Sequence, residues 1–288
     1  GLVLFAIALV CLFLGYSVAF TFAGVSVLVG VVMLGPDLFA FMPYRIMNIM
    51  ENTTLMAIPM FVFMGIVLQK TGLAERLLES SAKLFGGIAG GVAVSTVIVG
   101  ALLAASTGVV GASVVAMGVI SLPVMLKNNY HQPTAAGVIC AAGTLGQIIP
   151  PSIILIILGD VMGVPVGDLF RAAVLPGVLL IVVYTLYILI LGKIKPEFCP
   201  PMEITEDKRT LIVQAMKDIL PPLSLIVTVL GSIFTGLATP TESAAIGAVG
   251  AVVLSVIYGR FSFKGLHAIS GDTVKVTAMI FAVLVGAT

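Results

Sequence analysis

Long apolar stretches dominate the chain. No Asp, Glu, Lys or Arg occurs in residues 1–36, 84–126 or 132–159, whereas a membrane span needs only about 20 predominantly apolar residues. These stretches lack the strict alternation of apolar and polar residues that is typical of β-barrel strands. Because a backbone in lipid must satisfy its own hydrogen bonds, α-helices are expected. The pattern predicts an all-α polytopic membrane protein.

Small and polar residues divide these stretches into elements. The sequence predicts a break at Gly15-Tyr16-Ser17, a loop that contains Pro36 to Arg45, and a span from about Asn52 to Leu68. In residues 73–86, leucines and charged residues occupy opposite faces, which predicts an amphipathic helix in the membrane interface. Further spans are expected at 169–191, 219–236, 241–258 and 276–287.

Residues 88–125 form an apolar run rich in Gly, Ala, Ser and Val. If they form a re-entrant hairpin, twelve of the fourteen Lys and Arg residues lie on one side, and only Arg45 and Arg171 lie on the other. Lys and Arg concentrate in cytoplasmic loops, so the hairpin would open to the cytoplasm. Two full spans would leave the later loops on the same side, so charge does not exclude them. The length of about 17 residues per arm, at the lower limit for a span, and the small residues at the centre favour the hairpin.

The centre of this run is the first candidate binding segment. If two half-helices meet at Ser106, Thr107 and Gly108, their ends expose carbonyl and hydroxyl oxygens, which are suitable sodium ligands, and add helix-dipole charge. The alternative is that the small residues only allow close helix packing. A three-residue polar break favours binding.

The second candidate segment interrupts the apolar residues 132–162. Pro150 and Pro151 remove two backbone donors, which leaves carbonyls near Gly146 to Ile148 without helical partners. Irregular backbone at membrane depth is tolerated against protein or a watery cavity. A simple proline kink is the alternative. The candidate ion- or substrate-binding residues are Ser106, Thr107, Gly108, Gly146, Gln147, Pro150 and Ser152.

Other polar residues indicate structural roles. Thr239-Pro240-Thr241-Glu242 predicts a capping box at a helix start. Asp160 is expected to be solvated near the end of its helix. The apolar runs contain no paired nucleophile and base, which disfavours an intramembrane enzyme. The net charge of +1 gives no support for nucleic-acid binding.

An internal repeat organises the chain. A shift of 221 residues aligns Ala23 with Ala244 and Gly65 with Gly286, and both units contain two apolar runs, a loop and a span. An odd number of intervening spans would invert the second unit, as in many secondary transporters. The predicted organisation is a first inverted repeat (1–192) with the hairpin 88–125 and a broken helix 132–162, a cytoplasmic connector (193–218), and the start of a truncated second repeat (219–288).

Four motifs together resemble the large membrane subunit of tripartite ATP-independent periplasmic (TRAP) transporters, in order along the whole chain. They are NTTLMAIPMFVFMG at 52–65, AASTGVVGASVVAMGVISLPVM at 104–125, GTLGQIIPPSI at 143–153 and GLATPTESAA at 236–245. The resemblance implies an inverted-repeat, elevator-type sodium symporter with a re-entrant hairpin and a discontinuous helix in the bacterial inner membrane. By position, sodium would bind at Ser106, Thr107, Gly108, Gly146 and Pro150.

The resemblance also implies the partners. A small membrane subunit and a periplasmic substrate-binding protein would work with this chain, and the latter would deliver organic acids such as sialic acid or C4-dicarboxylates. Sodium would be the coupling ion, with no other cofactor. The alternative functions are an ion or solute channel and a non-catalytic membrane subunit; the sequence shows no repeated filter motif of the kind that channels use.

Overall fold

The computed structural model describes residues 2–35, 37–107, 110–202 and 207–287. All regular secondary structure in these residues is helical. The helices are α1 (Leu2–Phe13), α2 (Val18–Leu34), α3 (Leu38–Met50), α4 (Ala57–Lys70), α5 (Leu73–Phe85), α6 (Gly91–Thr107), α7 (Val110–Lys127), α8 (Gln132–Leu145), α9 (Ile153–Met162), α10 (Val166–Ile194), α11 (Lys208–Phe234), α12 (Pro240–Ile257) and α13 (Phe263–Ala287).

Four helices, α10 to α13, are long and apolar enough to cross a membrane. They confirm a helical, multi-pass membrane protein. The predicted break at residues 15–17 is also present, between α1 and α2. The span expected from Asn52 is shorter than predicted: α4 has 14 residues, about 21 Å at 1.5 Å per residue, and α5 continues from it at an angle of 62°.

Three segments are more helical than the sequence indicated. The predicted loop around Pro43 is helix α3, which continues through Pro43 at its sixth residue. The connector is shorter than predicted, since α10 continues to Ile194 and α11 begins at Lys208. Helix α13 has 25 residues and includes the polar residues before 276.

Helix α5 confirms the predicted amphipathic pattern but uses its apolar face differently. Leu73, Leu77 and Leu78 are buried, while Glu75 and Glu79 are exposed. The helix packs against α6 and α11, and the Ser80 hydroxyl donates a hydrogen bond to the Asp218 carboxylate. The apolar face therefore contacts protein, where the sequence alone predicted the membrane interface.

Two hydrophobic clusters organise the packing. One joins α5, α6, α7, α8 and the end of α10; the other joins α4, α9, α11, α12, α13 and the starts of α5 and α10. In the second cluster α4 packs on α12. Helix α2, outside the cluster, packs on α13. A Cβ atom added to Gly286 would lie 2.6 Å from the Ala19 carbonyl oxygen, and one added to Gly247 would lie 2.7 Å from the Met64 sulfur. Glycine at these positions permits close helix contact.

Residues 195–202, here called the strap, fold back from the end of α10 onto the starts of α6 and α8. The Gly90 amide donates to the Cys199 carbonyl at 2.9 Å, and the His131 amide donates to the Phe198 carbonyl at 3.1 Å. Cys199 is fully buried, and this burial raises the pKa of its thiol. The strap thus holds the two helix starts together.

Candidate functional site

Helix α8 lies against both helices of the 88–125 segment. A Cβ atom on Gly100 of α6 would lie 2.7 Å from the Ala142 Cβ, and one on Gly143 would lie 2.9 Å from the Val114 Cα of α7. Both distances are shorter than real Cβ atoms reach. Small residues therefore allow α8 to contact both helices at nearly the same level.

Helices α6 and α8 run in the same direction. The strap fixes both starts, and the contact between Gly100 and Ala142 occurs nine residues into α6 and ten residues into α8. Thr107 ends α6 seven residues, or about 10 Å, beyond Gly100. Residues 146–152 lie at a similar distance along the chain beyond Ala142 as Thr107 does beyond Gly100. The end of α6 and the break after α8 therefore lie at one level.

The break itself lies between Leu145 and Ile153. In a continuous helix the carbonyls of Gly146 and Gln147 would accept hydrogen bonds from residues 150 and 151, which are both prolines. The Ser152 hydroxyl donates to the Gln147 carbonyl at 2.7 Å. No hydrogen bond to the Gly146 carbonyl is present within the described part of the chain. Of these two carbonyls, that of Gln147 is therefore satisfied by a side chain, and that of Gly146 has no partner among the described residues.

The Gln147 side chain adds a second polar group to this break. Its amide oxygen and nitrogen are both shielded from solvent, and neither has a hydrogen-bond partner among the described residues. A buried polar group without a partner costs about 1–3 kcal/mol. Buried amides of this kind are usually satisfied, so Gln147 is a candidate for contact with a bound solute.

The structure brings together four of the seven predicted site residues. Gly146, Gln147, Pro150 and Ser152 all lie in the break, and Pro150 and Ser152 are buried. Ser106 and Thr107 are the last residues of α6, whereas Gly108 lies outside the described residues.

The ligand types of this break follow from its composition. No group of three His, Cys, Asp or Glu residues suited to a metal ion occurs in the ranges that the structure describes. Oxygen ligands at the break would therefore be carbonyls and hydroxyls. These are hard ligands that fit an alkali or alkaline-earth cation and not zinc or another soft metal.

Sequence reasoning missed a polar contact at the end of α9. The side-chain amide nitrogen of Asn52 donates to the Asp160 carboxylate. The side-chain amide oxygen of Asn52 accepts from the Thr54 backbone amide at 2.9 Å. Asp160 is half-buried, so the expectation of a solvated carboxylate was wrong. An Asn directly before an apolar run is a signal for such a local turn, but the partner at residue 160 is not predictable from spacing.

The capping box at the start of α12 is confirmed. The Thr239 hydroxyl accepts from the Glu242 amide at 3.3 Å, and the Glu242 carboxylate accepts from the Thr239 amide at 2.8 Å. Thr241, in the same motif, makes a tertiary contact: its hydroxyl donates to the Thr53 carbonyl at 2.8 Å. Two of the four sequence motifs therefore meet at one end of the helices.

Comparison with known proteins gives consistent similarities. Residues 5–288 match the family described as "Tripartite ATP-independent periplasmic transporter, DctM component". The C4-dicarboxylate TRAP transporter large permease protein DctM of Pseudomonas aeruginosa is 32% identical over 265 residues, which cover 92% of this chain and 61% of that protein.

Two relatives from Vibrio cholerae give similar results. A C4-dicarboxylate TRAP transporter large permease protein DctM is 38% identical over 196 residues, covering 68% of this chain and 42% of that protein. The sialic acid TRAP transporter large permease protein SiaM is 27% identical over 278 residues, covering 96% and 64%. The chain thus spans less than two thirds of the length of each of these relatives.

Proposed function

Because this chain belongs to the DctM component family of tripartite ATP-independent periplasmic transporters, we propose that it takes part in sodium-coupled symport of a small organic acid. Its relatives are transporter permease subunits, so the chain is a membrane transport subunit and not an enzyme. C4-dicarboxylates and sialic acid, named for the relatives, are the substrate classes to test first.

The observation that carries the proposal is the broken helix beside the end of α6. The unpaired Gly146 carbonyl and the buried Gln147 amide lie at the level where α6 ends. We assign the coupling sodium to Ser106, Thr107, Gly108, Gly146 and Pro150. Carbonyl oxygens at broken helices coordinate sodium in other secondary transporters, and the donor set here consists of hard oxygens.

Reciprocal packing supports an inverted repeat. The shift of 221 residues places the end of α1 at Phe13 on the end of α11 at Phe234, and α2 on α12. The second helix of each unit packs on a late helix of the other, as α2 does on α13 and α12 does on α4. Such exchange is what a pseudo-two-fold axis produces.

An elevator-type movement is proposed from the family alone. Helices α6, α7 and α8 share one hydrophobic cluster, but α9, which completes the broken helix, belongs to the other cluster with α4 and α11 to α13. In the proposed mechanism the segments that hold sodium and substrate move past α4 and α11 to α13. A periplasmic binding protein would deliver the substrate, and a small membrane subunit would complete the carrier in the inner membrane.

Sodium-driven uptake is the direct test. The chain, combined with its small subunit and binding protein, is reconstituted in vesicles with an imposed sodium gradient. Accumulation of labelled organic acid against its gradient supports symport. Dissipation without accumulation would indicate a channel instead, and uptake that is independent of sodium would contradict the coupling.

The sodium assignment has its own test. Thr107→Val keeps the side-chain shape and removes a hydroxyl oxygen, so sodium affinity is expected to fall. Thr96→Val is the matched control in the same helix, because the Thr96 hydroxyl only donates to the Val92 carbonyl. Equal sodium dependence of Thr107→Val, Ser106→Ala and the Thr96 control would contradict the assignment.

The re-entrant hairpin is tested by sided labelling. Ile88→Cys and Leu126→Cys are suitable because both native side chains are exposed, at 57% and 40%. A hairpin that opens to the cytoplasm predicts that a membrane-impermeant thiol reagent labels both from that side. Labelling from opposite sides would mean that the segment crosses the membrane an odd number of times.

A further inference from the structure

A groove between α8 and α10 has no role in the proposed transport site. It has a volume of about 520 Å³, within the usual range of about 300–1,000 Å³ for ligand pockets. Its α8 wall includes Thr134, Gly137 and Ala141, and its α10 wall includes Tyr184, Tyr187 and Ile188. The lining is mostly apolar, and the groove is open on its outer side, where a spanning protein meets lipid.

The shape of the groove depends on Gly137. A Cβ atom on Gly137 would meet no other atom within 4 Å, so this glycine serves no close helix contact. Tyr187 is 62% exposed and lies seven residues, or about 10 Å, before the end of α10. Tyrosines at this depth are typical of the boundary between the acyl chains and the lipid headgroups.

Cationic and aromatic side chains lie at one end of the groove. The His131 ring is 3.1 Å from the Thr134 hydroxyl of the groove wall and stacks on the Phe198 ring, with centroids 4.4 Å apart. The Lys195 ammonium lies 4.9 Å from the centroid of the same Phe198 ring. Lys195 has no ion pair within the described ranges, although Glu197 is exposed in the same strap.

We propose that this groove binds a phospholipid of the cytoplasmic leaflet, with an acyl chain along α8 and α10 and the phosphate beside Lys195 and His131. An apolar channel that ends beside the Lys195 ammonium and the His131 ring is complementary to an anionic lipid. The charge distribution of the chain places this end on the cytoplasmic side, where basic pockets between helices bind anionic headgroups. The bound lipid would contact the α6–α8 packing unit through Val97, which also lines the groove.

Photo-crosslinking tests the acyl-chain part. The intact chain is reconstituted with phosphatidylglycerol that carries a diazirine on its acyl chain, and labelled peptides are identified by mass spectrometry. We expect labelling on α8 and α10. Gly137→Leu places a side chain in the groove that excludes the acyl chain sterically, so labelling of the groove-lining peptides should be lost.

Gly271→Leu is the matched control, because Gly271 is also an exposed helical glycine with no atom within 4 Å of an added Cβ. Its labelling of α8 and α10 should equal that of the unmodified chain. Unchanged labelling of α8 and α10 in Gly137→Leu would overturn the proposal. The assay requires no transport, so its failure is distinct from failure of sodium-coupled uptake.

Competition between lipids tests the headgroup part. Unlabelled phosphatidylglycerol should displace the probe better than phosphatidylcholine, and Lys195→Gln should abolish that preference while Lys193→Gln retains it. If Lys195→Gln keeps the full preference, the assignment of the phosphate to this end of the groove is wrong.

Discussion

Gly143 provides the sharpest test of how α8 is held beside α7. A Cβ atom at this position would lie 2.6 Å from the Val114 Cγ2, 2.9 Å from its Cα and 3.0 Å from its backbone nitrogen. Two of these atoms belong to the α7 backbone, so a rotamer change cannot relieve the contact. Gly143→Ala must therefore move α8 and α7 apart by about 0.5–1 Å to reach ordinary van der Waals separation.

The magnitude follows from two opposing effects. Overpacking of this kind costs about 1–3 kcal/mol, while alanine in a helix is favoured over glycine by about 1 kcal/mol. Gly137→Ala, six residues earlier in the same helix, has only the favourable effect, since its Cβ atom would meet nothing within 4 Å. The two variants should differ in unfolding free energy by about 1–3 kcal/mol, or very roughly 2–12 °C in Tm.

The assay is thermal unfolding of both variants in the same detergent, followed by sodium-driven uptake. Gly137→Ala should unfold at or above the temperature of the unmodified chain, and Gly143→Ala below it. Gly143→Ala should also reduce uptake, because α8 carries Gly146 and Gln147 at its end. Equal Tm values for the two variants would refute the close contact between α7 and α8.

Three further predictions concern individual hydrogen bonds and one thiol. Ser152→Ala removes the hydroxyl that occupies the Gln147 carbonyl and should cost about 1 kcal/mol; a chemical-denaturation midpoint equal to that of the unmodified chain would contradict the bond. Thr239→Ala breaks the capping box of α12 and should cost about 0.5–2 kcal/mol, measurable as a lower Tm than that of Ser224→Ala, whose hydroxyl only bonds within α11. With Cys11 and Cys140 replaced by serine, alkylation of Cys199 should still accelerate as the pH rises through 9.0, the ordinary thiol value, because burial raises its pKa and delays thiolate formation; a rate that has already reached its plateau at pH 9.0 would contradict the raised pKa.

Local chemistry made much of the fold predictable. The break after Phe13, the capping box at Thr239 and the amphipathic α5 each depend on residues within a few positions of one another. The site was predictable only in part: the Pro150-Pro151 pair interrupts its helix as expected, whereas the Pro221-Pro222 pair lies inside the continuous helix α11, so a double proline alone does not determine a break. What the sequence could not indicate is that the Ser152 hydroxyl replaces one of the lost donors, because that contact depends on how the chain turns between α8 and α9.

The sequence by itself determined that this chain is helical, lies in a membrane, and contains an interrupted helix at residues 146–152, because hydrophobic run length and backbone hydrogen bonding act locally. Only the tertiary structure decided which segments meet. Contacts such as Gly100 with Ala142 and Asn52 with Asp160 join residues far apart in the chain, and they form between helices whose apolar faces would fit many partners. Small residues and single polar pairs select among those partners by how closely two backbones can approach, which is a property of the packed protein and not of any one segment.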